Sequence, residues 1–244
     1  MDDSELAAQL AHHAGRVALA IRDSGLIAGR ALGDAGDEAA NRFLCRAIAQ
    51  HRPGDGLLSE ESADTETRLG KDRVWIIDPV DGTREYGEGR SDWAVHIGLA
   101  IDGVAQVGAV ALPALDLVLR SDRPAALPEA PATPRMVVSR SRPPAQALAV
   151  AEALGAELVP MGSAGAKAMA VVRGEAEIYL HAGGQHQWDN CAPAAVAAAH
   201  GLHVSRIDGT PLVYNARDTS VPDLLICRTD LAERILAEIA ALPG

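Results

Sequence analysis

From Val74 to Thr83 the chain reads Val-Trp-Ile-Ile-Asp-Pro-Val-Asp-Gly-Thr, so a wholly apolar run passes without a spacer into two carboxylates. Such a run, rich in β-branched and aromatic residues, predicts a buried strand. Pro79 removes a backbone donor and stops the ladder, and Gly82 permits a sharp turn. The fold must therefore bend at the edge of its own core and point Asp78, the Val80 carbonyl and Asp81 toward one small volume. Hard oxygen donors in such a volume suit Mg²⁺, at roughly 2.1 Å and with some waters retained. Taken alone, the segment also fits an ordinary strand end with solvated aspartates.

The rest of the chain has to cover that strand. With 244 residues, 48% of them hydrophobic, it can build one large core or two closely packed ones. Its net charge of −11 argues against nucleic-acid and membrane surfaces, which would repel most of it. A small anionic substrate remains compatible if metal ions or a few arginines gather locally. No apolar run reaches membrane-span length and the N-terminus lacks the basic start of a secretory signal, so a soluble, cytoplasmic protein is expected. Cys45, Cys191 and Cys227 are widely spaced and form neither a disulfide framework nor a zinc knuckle.

Periodicity predicts a helix through Leu6, Leu10, Val17 and Ile21, and a second from about Asp37 with Phe43, Leu44, Ala47 and Ile48 on its buried face. Short strands follow around Leu57, Val74 and Trp93–Leu99, with Asp102-Gly103 as a hairpin turn, giving a largely antiparallel sheet against helices. Pro124, Pro128, Pro131 and Pro134 mark a linker. Beyond it we expect strands at Met136–Ser139, Leu158, Ile178–Leu180, Val204 and Leu224–Ile226. These alternate with helices over Ala145–Leu154, Ala164–Val172 and Ala192–His200, and with a last helix capped by Thr229 or Asp230. The reading is an α+β half (residues 1–122), a linker (123–135) and an α/β half (136–244).

Two further acidic elements flank the central one. Ser59-Glu60-Glu61-Ser62 follows a short strand, and Trp188-Asp189 opens a helix after Ala182-Gly183-Gly184. Each alone reads as a cap or a solvated turn. Strand-Glu-Glu, strand-DPxDGT and WD-helix in this order closely resemble the inositol monophosphatase superfamily of lithium-sensitive, Mg²⁺-dependent phosphatases. The resemblance implies a layered αβαβα sandwich with metals between its halves. It implies Glu60, Asp78 and the Val80 carbonyl on a first Mg²⁺, Asp78, Asp81 and Asp189 on a second, and Glu60 with waters on a third. It also implies that Thr83 relays a proton from the attacking water toward Asp37. The family's Ser-Pro-Val-Thr loop and the lysine before it are absent ahead of Asp37, where Asp34 stands instead.

Arg84-Glu85-Tyr86 is similar to the Lys-Glu-Phe of 3′(2′),5′-bisphosphate nucleotidases, and Ser139-Arg140-Ser141-Arg142 resembles the substrate segment of the CysQ-type nucleotidases. Arginine fits phosphate in a planar, bidentate way, so Arg140 and Arg142 are candidates for a second phosphate. Gly162-Ser163-Ala164-Gly165-Ala166-Lys167 matches the family's Gly-Ser-x-x-x-Lys entering a helix, a place where amides and the helix dipole meet an anion. The implied substrate contacts are Asp81, Gly82, Thr83, Ser139, Arg140, Arg142, Gly162, Ser163, Lys167 and Asp189. The implied reaction removes the 3′-phosphate of adenosine 3′,5′-bisphosphate. Inositol 1-phosphate and fructose 1,6-bisphosphate are the competing esters, and a metal- and nucleotide-binding sensor without turnover is the competing class. Monomer and homodimer both stay open.

Overall fold

A computed structural model describes residues 1–242. Two long helices open it, α1 (Asp3–Asp23) and α2 (Gly29–His51). The first sheet follows: β1 (Gly56–Ser59), β2 (Arg73–Asp81), β3 (Ala94–Ile101), β4 (Val104–Leu112) and β5 (Leu117–Arg120), with the short helix α3 (Thr83–Gly87) between β2 and β3. The strands lie in sequence order, β1 parallel to β2 and the rest antiparallel. Asp102 and Gly103 both have positive φ, as a type I′ hairpin requires. Residues 121–134 form no helix or strand. The second sheet has the order β7 (Glu157–Met161), β6 (Arg135–Ser139), β8 (Ile178–His186), β10 (Ser220–Cys227), β9 (His203–Ser205), the first three parallel and the last two joined antiparallel. Its helices are α4 (Ala145–Leu154), α5 (Ala164–Val172), α6 (Gln187–Ala199) and α7 (Thr229–Ala240).

Burial sets the layers. Leu6, Leu10, Ala14 and Leu44 of the first two helices pack on Trp75, Ile77, Val95 and Ile97 of the first sheet. Helices α5 and α6 fill the space between the sheets, where Met169 and Val196 meet Val110 on one side and Tyr179 and Leu224 on the other. Val150 and Ile235, from α4 and α7, cover the outer face of the second sheet. The order is αβαβα.

Three boundaries differ from the sequence reading. Helix α2 begins at Gly29, not near Asp37. Glycines usually discourage a helix, but Gly33 and Gly36 sit where a Cβ would come within 2.8 Å of Thr83 and 2.6 Å of Tyr86. They permit close packing of α3, and that contact overrides propensity. Helix α6 begins at Gln187 and runs through Pro193, which takes away the amide that would have met the Asp189 carbonyl. At α7 Arg228 holds the N-cap position without a side-chain cap, and Thr229 instead donates its hydroxyl to the Gly201 carbonyl at 2.8 Å.

The approach of α6 to the first sheet needs Gly98 on β3. A Cβ there would lie 2.7 Å from Cys191 Sγ and 3.0 Å from the Ala192 nitrogen. Both contacts are buried, so Gly98→Ala should destabilise the chain by about 1–3 kcal/mol. Urea unfolding measures this, and a midpoint equal to wild type would contradict the close-packing account.

Candidate active site

The site forms where β2 stops pairing. Asp78 lies opposite His96 in the β2–β3 register, and pairing resumes only at Asp81 opposite Ala94, so three steps on β2 match two on β3. In a regular strand, residues three apart face opposite sides. The extra residue at the Pro79 bulge reverses that, and both carboxylates turn to one side. Asp78 Oδ1 accepts the Val80 amide at 3.1 Å, and Gly82 leads into α3 with φ of 87°.

Asp189 comes from the other side of the molecule, at the third position of α6. Its Oδ2 accepts the His186 amide at 2.6 Å in a reciprocal capping box, and Trp188 stacks on the His186 ring at 4.7 Å. One carboxylate oxygen from each of Asp78, Asp81 and Asp189 falls within 4.8 Å of the others. Glu60, immediately after β1, faces water on one side and the charges of Asp189 and Asp81 on the other.

Asp81 is the most tightly held of these acids. Its Oδ2 accepts the Ser163 hydroxyl and the Gly165 amide at 2.6 Å, and Oδ1 accepts the Ala164 amide at 3.1 Å. His96, fully buried, brings Nε2 to 3.2 Å from Oδ2 while Nδ1 lies 3.0 Å from the Trp188 carbonyl. Burial opposes a charge on the ring, but the Asp81 carboxylate beside Nε2 and the Trp188 carbonyl at Nδ1 push the imidazole above the ordinary histidine range, although Nε2 itself makes no hydrogen bond. Oδ2 is thus crowded with donors, whereas Oδ1 keeps a lone pair free of protein partners.

Asp37 and Thr83 are also brought together. Thr83 Oγ1 lies 3.3 Å from Asp37 Oδ2 and 3.1 Å from the Val80 carbonyl. Asp37 sits two turns inside α2, buried, with Oδ1 unpartnered among the described residues. Burial and the charges of Glu61 and Glu60 push its carboxyl up to about 8. A cavity of about 790 Å³ opens beside Asp37, Thr83 and Glu61, with Arg30 and Arg84 on its walls.

The remaining candidates are placed differently. Gly162 and Ser163 adjoin the acids, the Gly162 amide being held by Asp92 at 2.6 Å. Lys167 is buried with its ammonium on the Gly162 and Ser163 carbonyls, at 3.2 and 2.5 Å. Arg140 is bound to Glu85 at 2.7 Å and Glu88 at 2.6 Å. Arg142 is exposed, and its amide rests on Ser139 Oγ at 3.2 Å.

Sequence reasoning passed over two residues. His96 was visible as the only ionisable residue in the apolar β3 run. Asn41, one turn beyond Asp37, uses its whole amide: it donates to the Glu61 carbonyl and Ser62 Oγ, both at 3.1 Å, and accepts from Ser59 Oγ at 2.8 Å and Cys45 Sγ at 3.2 Å. It fixes the turn that carries Glu60.

Burial and mutual repulsion raise Asp78 well above the ordinary carboxylate range, Glu60 to about 7 and Asp189 to about 6. Asp81 alone is depressed, to about 2, because His96, Ser163 and the Gly165 amide outweigh its burial. This crowd of hard oxygens is a donor set that fits divalent metal. The linkage has a definite sign. Asp37, Glu60 and Asp189 ionise later in the folded chain than in the unfolded one, so the stability they contribute is present below about pH 4 and lost as pH rises through about 6–8, and Asp78 acts in the same direction. Asp81 acts oppositely, losing its contribution only as pH falls toward 2. Metal-free protein should therefore melt lower at about pH 8 than at about pH 5, and millimolar Mg²⁺ should restore several degrees at the higher pH and little at the lower. Melting curves with EDTA or Mg²⁺ at both pH values check this; equal Mg²⁺ shifts would contradict it.

The layered fold and the converging acids define a class, and comparison with known proteins agrees. The inositol monophosphatase family profile matches residues 30–243, and the chain belongs to that family. It is 48% identical to the 3′-phosphoadenosine 5′-phosphate phosphatase of Mycobacterium leprae, covering 98% of this chain and 94% of that protein. It is 51% identical to the protein of the same name from Mycobacterium bovis, over 86% of this chain and 82% of that protein. Among solved structures it superposes on CysQ from Bacteroides thetaiotaomicron with a TM-score of 0.79 at 24% identity, covering 93% and 97% of the two chains.

Proposed function

We propose that this protein is a Mg²⁺-dependent phosphatase that removes the 3′-phosphate of adenosine 3′,5′-bisphosphate, leaving a 5′-nucleotide and phosphate. The reading rests on one conjunction: the converging carboxylates of Asp78, Asp81 and Asp189 in a chain about half identical to two proteins named for that substrate. The 5′-sulfated nucleotide is a second substrate on this reading, and clearance of a sulfate-assimilation by-product in the cytoplasm is the role. Among the described residues no helix is long and apolar enough to cross a membrane.

In this reading Glu60, Asp78 and the Val80 carbonyl hold one ion, Asp78, Asp81 Oδ1 and Asp189 a second, and Glu60 a third. Divalent cations held by these residues would supply Lewis acidity toward water and neutralising charge for phosphate. The chain's own residues supply positioning and proton handling. Asp37, once ionised, accepts the Thr83 hydroxyl hydrogen, which frees the Thr83 oxygen to accept a hydrogen bond from the attacking water. His96, Ser163 and the start of α5 fix Asp81, and the capping box fixes Asp189. The cavity beside Thr83 is of nucleotide size, and its two arginines, paired with Asp34 and Glu88, would have to exchange those partners to meet a phosphate. Arg140 and Arg142 remain candidates for the second phosphate, Arg140 by exchanging its two carboxylate partners for it.

Phosphate release with Mg²⁺ from adenosine 3′,5′-bisphosphate, inositol 1-phosphate and fructose 1,6-bisphosphate tests the substrate. We expect at least about tenfold higher kcat/KM for the nucleotide, about 1.4 kcal/mol of discrimination. Preference for a sugar ester would overturn the nucleotide assignment and keep the chemistry. Tight bisphosphate binding without release would favour the sensor.

A further inference from the structure

We propose that Lys167 is a positioning residue, holding the Gly162–Ser163 turn so that Ser163 and the first amides of α5 stay on Asp81, and that it does not bind the substrate's phosphate. The inference deepens the phosphatase reading and rests on it.

Ser163 has φ of 50° and ψ of 137°, a backbone conformation that residues with a side chain avoid. Such a conformation persists only where the surroundings over-determine it. On one face the turn is held by acids: Asp92 accepts the Gly162 amide, and Asp81 accepts the Ser163 hydroxyl together with the Ala164 and Gly165 amides. The Ser163 oxygen also caps α5 by accepting the Ala166 amide at 2.9 Å. On the other face the Gly162 and Ser163 carbonyls point into the protein, and the Lys167 ammonium reaches both.

An ammonium has three hydrogens. Two are directed at these carbonyls, and Nζ stands 5.3 Å from the centre of the Tyr179 ring, whose face suits the third. Lys167 is 5% exposed, so no donor is left for an anion arriving from the cavity. Burial also pushes its amine below the ordinary lysine range, which a role as a free phosphate cation would not favour. Without the ammonium, the Gly162 carbonyl loses its donor and the Ser163 carbonyl keeps only the Lys167 backbone amide, at 3.4 Å. The turn can then relax toward ordinary φ, carrying the Ser163 hydroxyl away from Asp81. The consequence falls on the orientation of a metal ligand and leaves substrate affinity alone.

The test compares wild type, Lys167→Met, Ser163→Ala and the double variant, by calorimetric Mg²⁺ titration without substrate and by steady-state kinetics on adenosine 3′,5′-bisphosphate. Lys167→Met should weaken Mg²⁺ binding and lower kcat, each about tenfold or more, with KM within about twofold of wild type. In the Ser163→Ala background the same change should add less than about twofold, because both act through one turn. A raised KM with unchanged Mg²⁺ affinity would make Lys167 a phosphate ligand and overturn the inference, and so would fully additive losses. Should Lys167→Met fail to fold, Lys167→Gln, which keeps two donors and loses the charge, should hold Mg²⁺ affinity, kcat and KM within about threefold of wild type, and a raised KM at unchanged Mg²⁺ affinity would again overturn the inference. Absence of Mg²⁺ binding by wild type would overturn the phosphatase reading itself, whereas unchanged Mg²⁺ affinity in Lys167→Met overturns this inference alone.

Discussion

Asp78→Asn should lower phosphate release by about three orders of magnitude or more while raising the melting temperature of the metal-free protein at neutral to alkaline pH. Both effects come from one buried carboxylate. Asp78 lies among Glu60, Asp81 and Asp189, and their charges with its burial hold it well above the ordinary range. In the assignment above it is the acid shared by two ions, so losing its charge weakens both. About 4 kcal/mol of lost transition-state stabilisation corresponds to three decades in rate. Asparagine keeps the oxygen that accepts the Val80 amide. It also removes the repulsion responsible for the alkaline loss of stability, so function and stability move in opposite directions. Paired measurements of kcat and of melting at about pH 8 in EDTA check both halves. A variant that loses activity and also melts lower without metal would show that Asp78 is needed for folding, and the electrostatic account would be wrong.

Asp37→Asn should lower kcat about 10²- to 10⁴-fold with little change in KM, the usual range for a lost general base. The side chain touches Thr83 and has no other protein hydrogen bond among the described residues, so an isosteric amide keeps the packing and removes only the proton acceptor. The pH profile gives a second readout. Asp37 must be ionised to accept a proton; burial with Glu61 and Glu60 sets it at about 8, and bound cations draw it lower. Wild-type kcat should then rise with pH along a limb whose midpoint lies below about 8, and that limb should be missing in Asp37→Asn. Normal turnover in the variant would remove Asp37 from the mechanism.

How much of this was legible depends on how local each feature is. The Asp78–Asp81 bend could be read from ten consecutive residues, because an apolar strand, a proline and a glycine act on their immediate neighbours. Asp189 was legible as the acid at a helix start, although the helix begins at Gln187 and Pro193 lies inside it. Asp37 was singled out with the wrong local structure. Its helix starts eight residues earlier, since Gly33 and Gly36 answer to contacts with Thr83 and Tyr86 that are some fifty residues distant in sequence. His96 and Asn41 were missed for the same reason. The first matters only through the β2–β3 register and the arrival of α6, the second only because α2 lies under the turn after β1. Lys167 was legible as a residue of consequence, but its direction was not: local pattern puts a cation near an anion-binding helix start, and only the burial of two carbonyls shows which way the ammonium turns.

One measurement bears most directly on the whole account. Metal-free protein is titrated with Mg²⁺ while the fate of adenosine 3′,5′-bisphosphate is followed by ³¹P NMR. The account predicts no turnover without metal, a saturable onset as Mg²⁺ is added, and the 5′-nucleotide with inorganic phosphate as the products. Release that is unaffected by metal removal, or a product that has kept its 3′-phosphate, would contradict it.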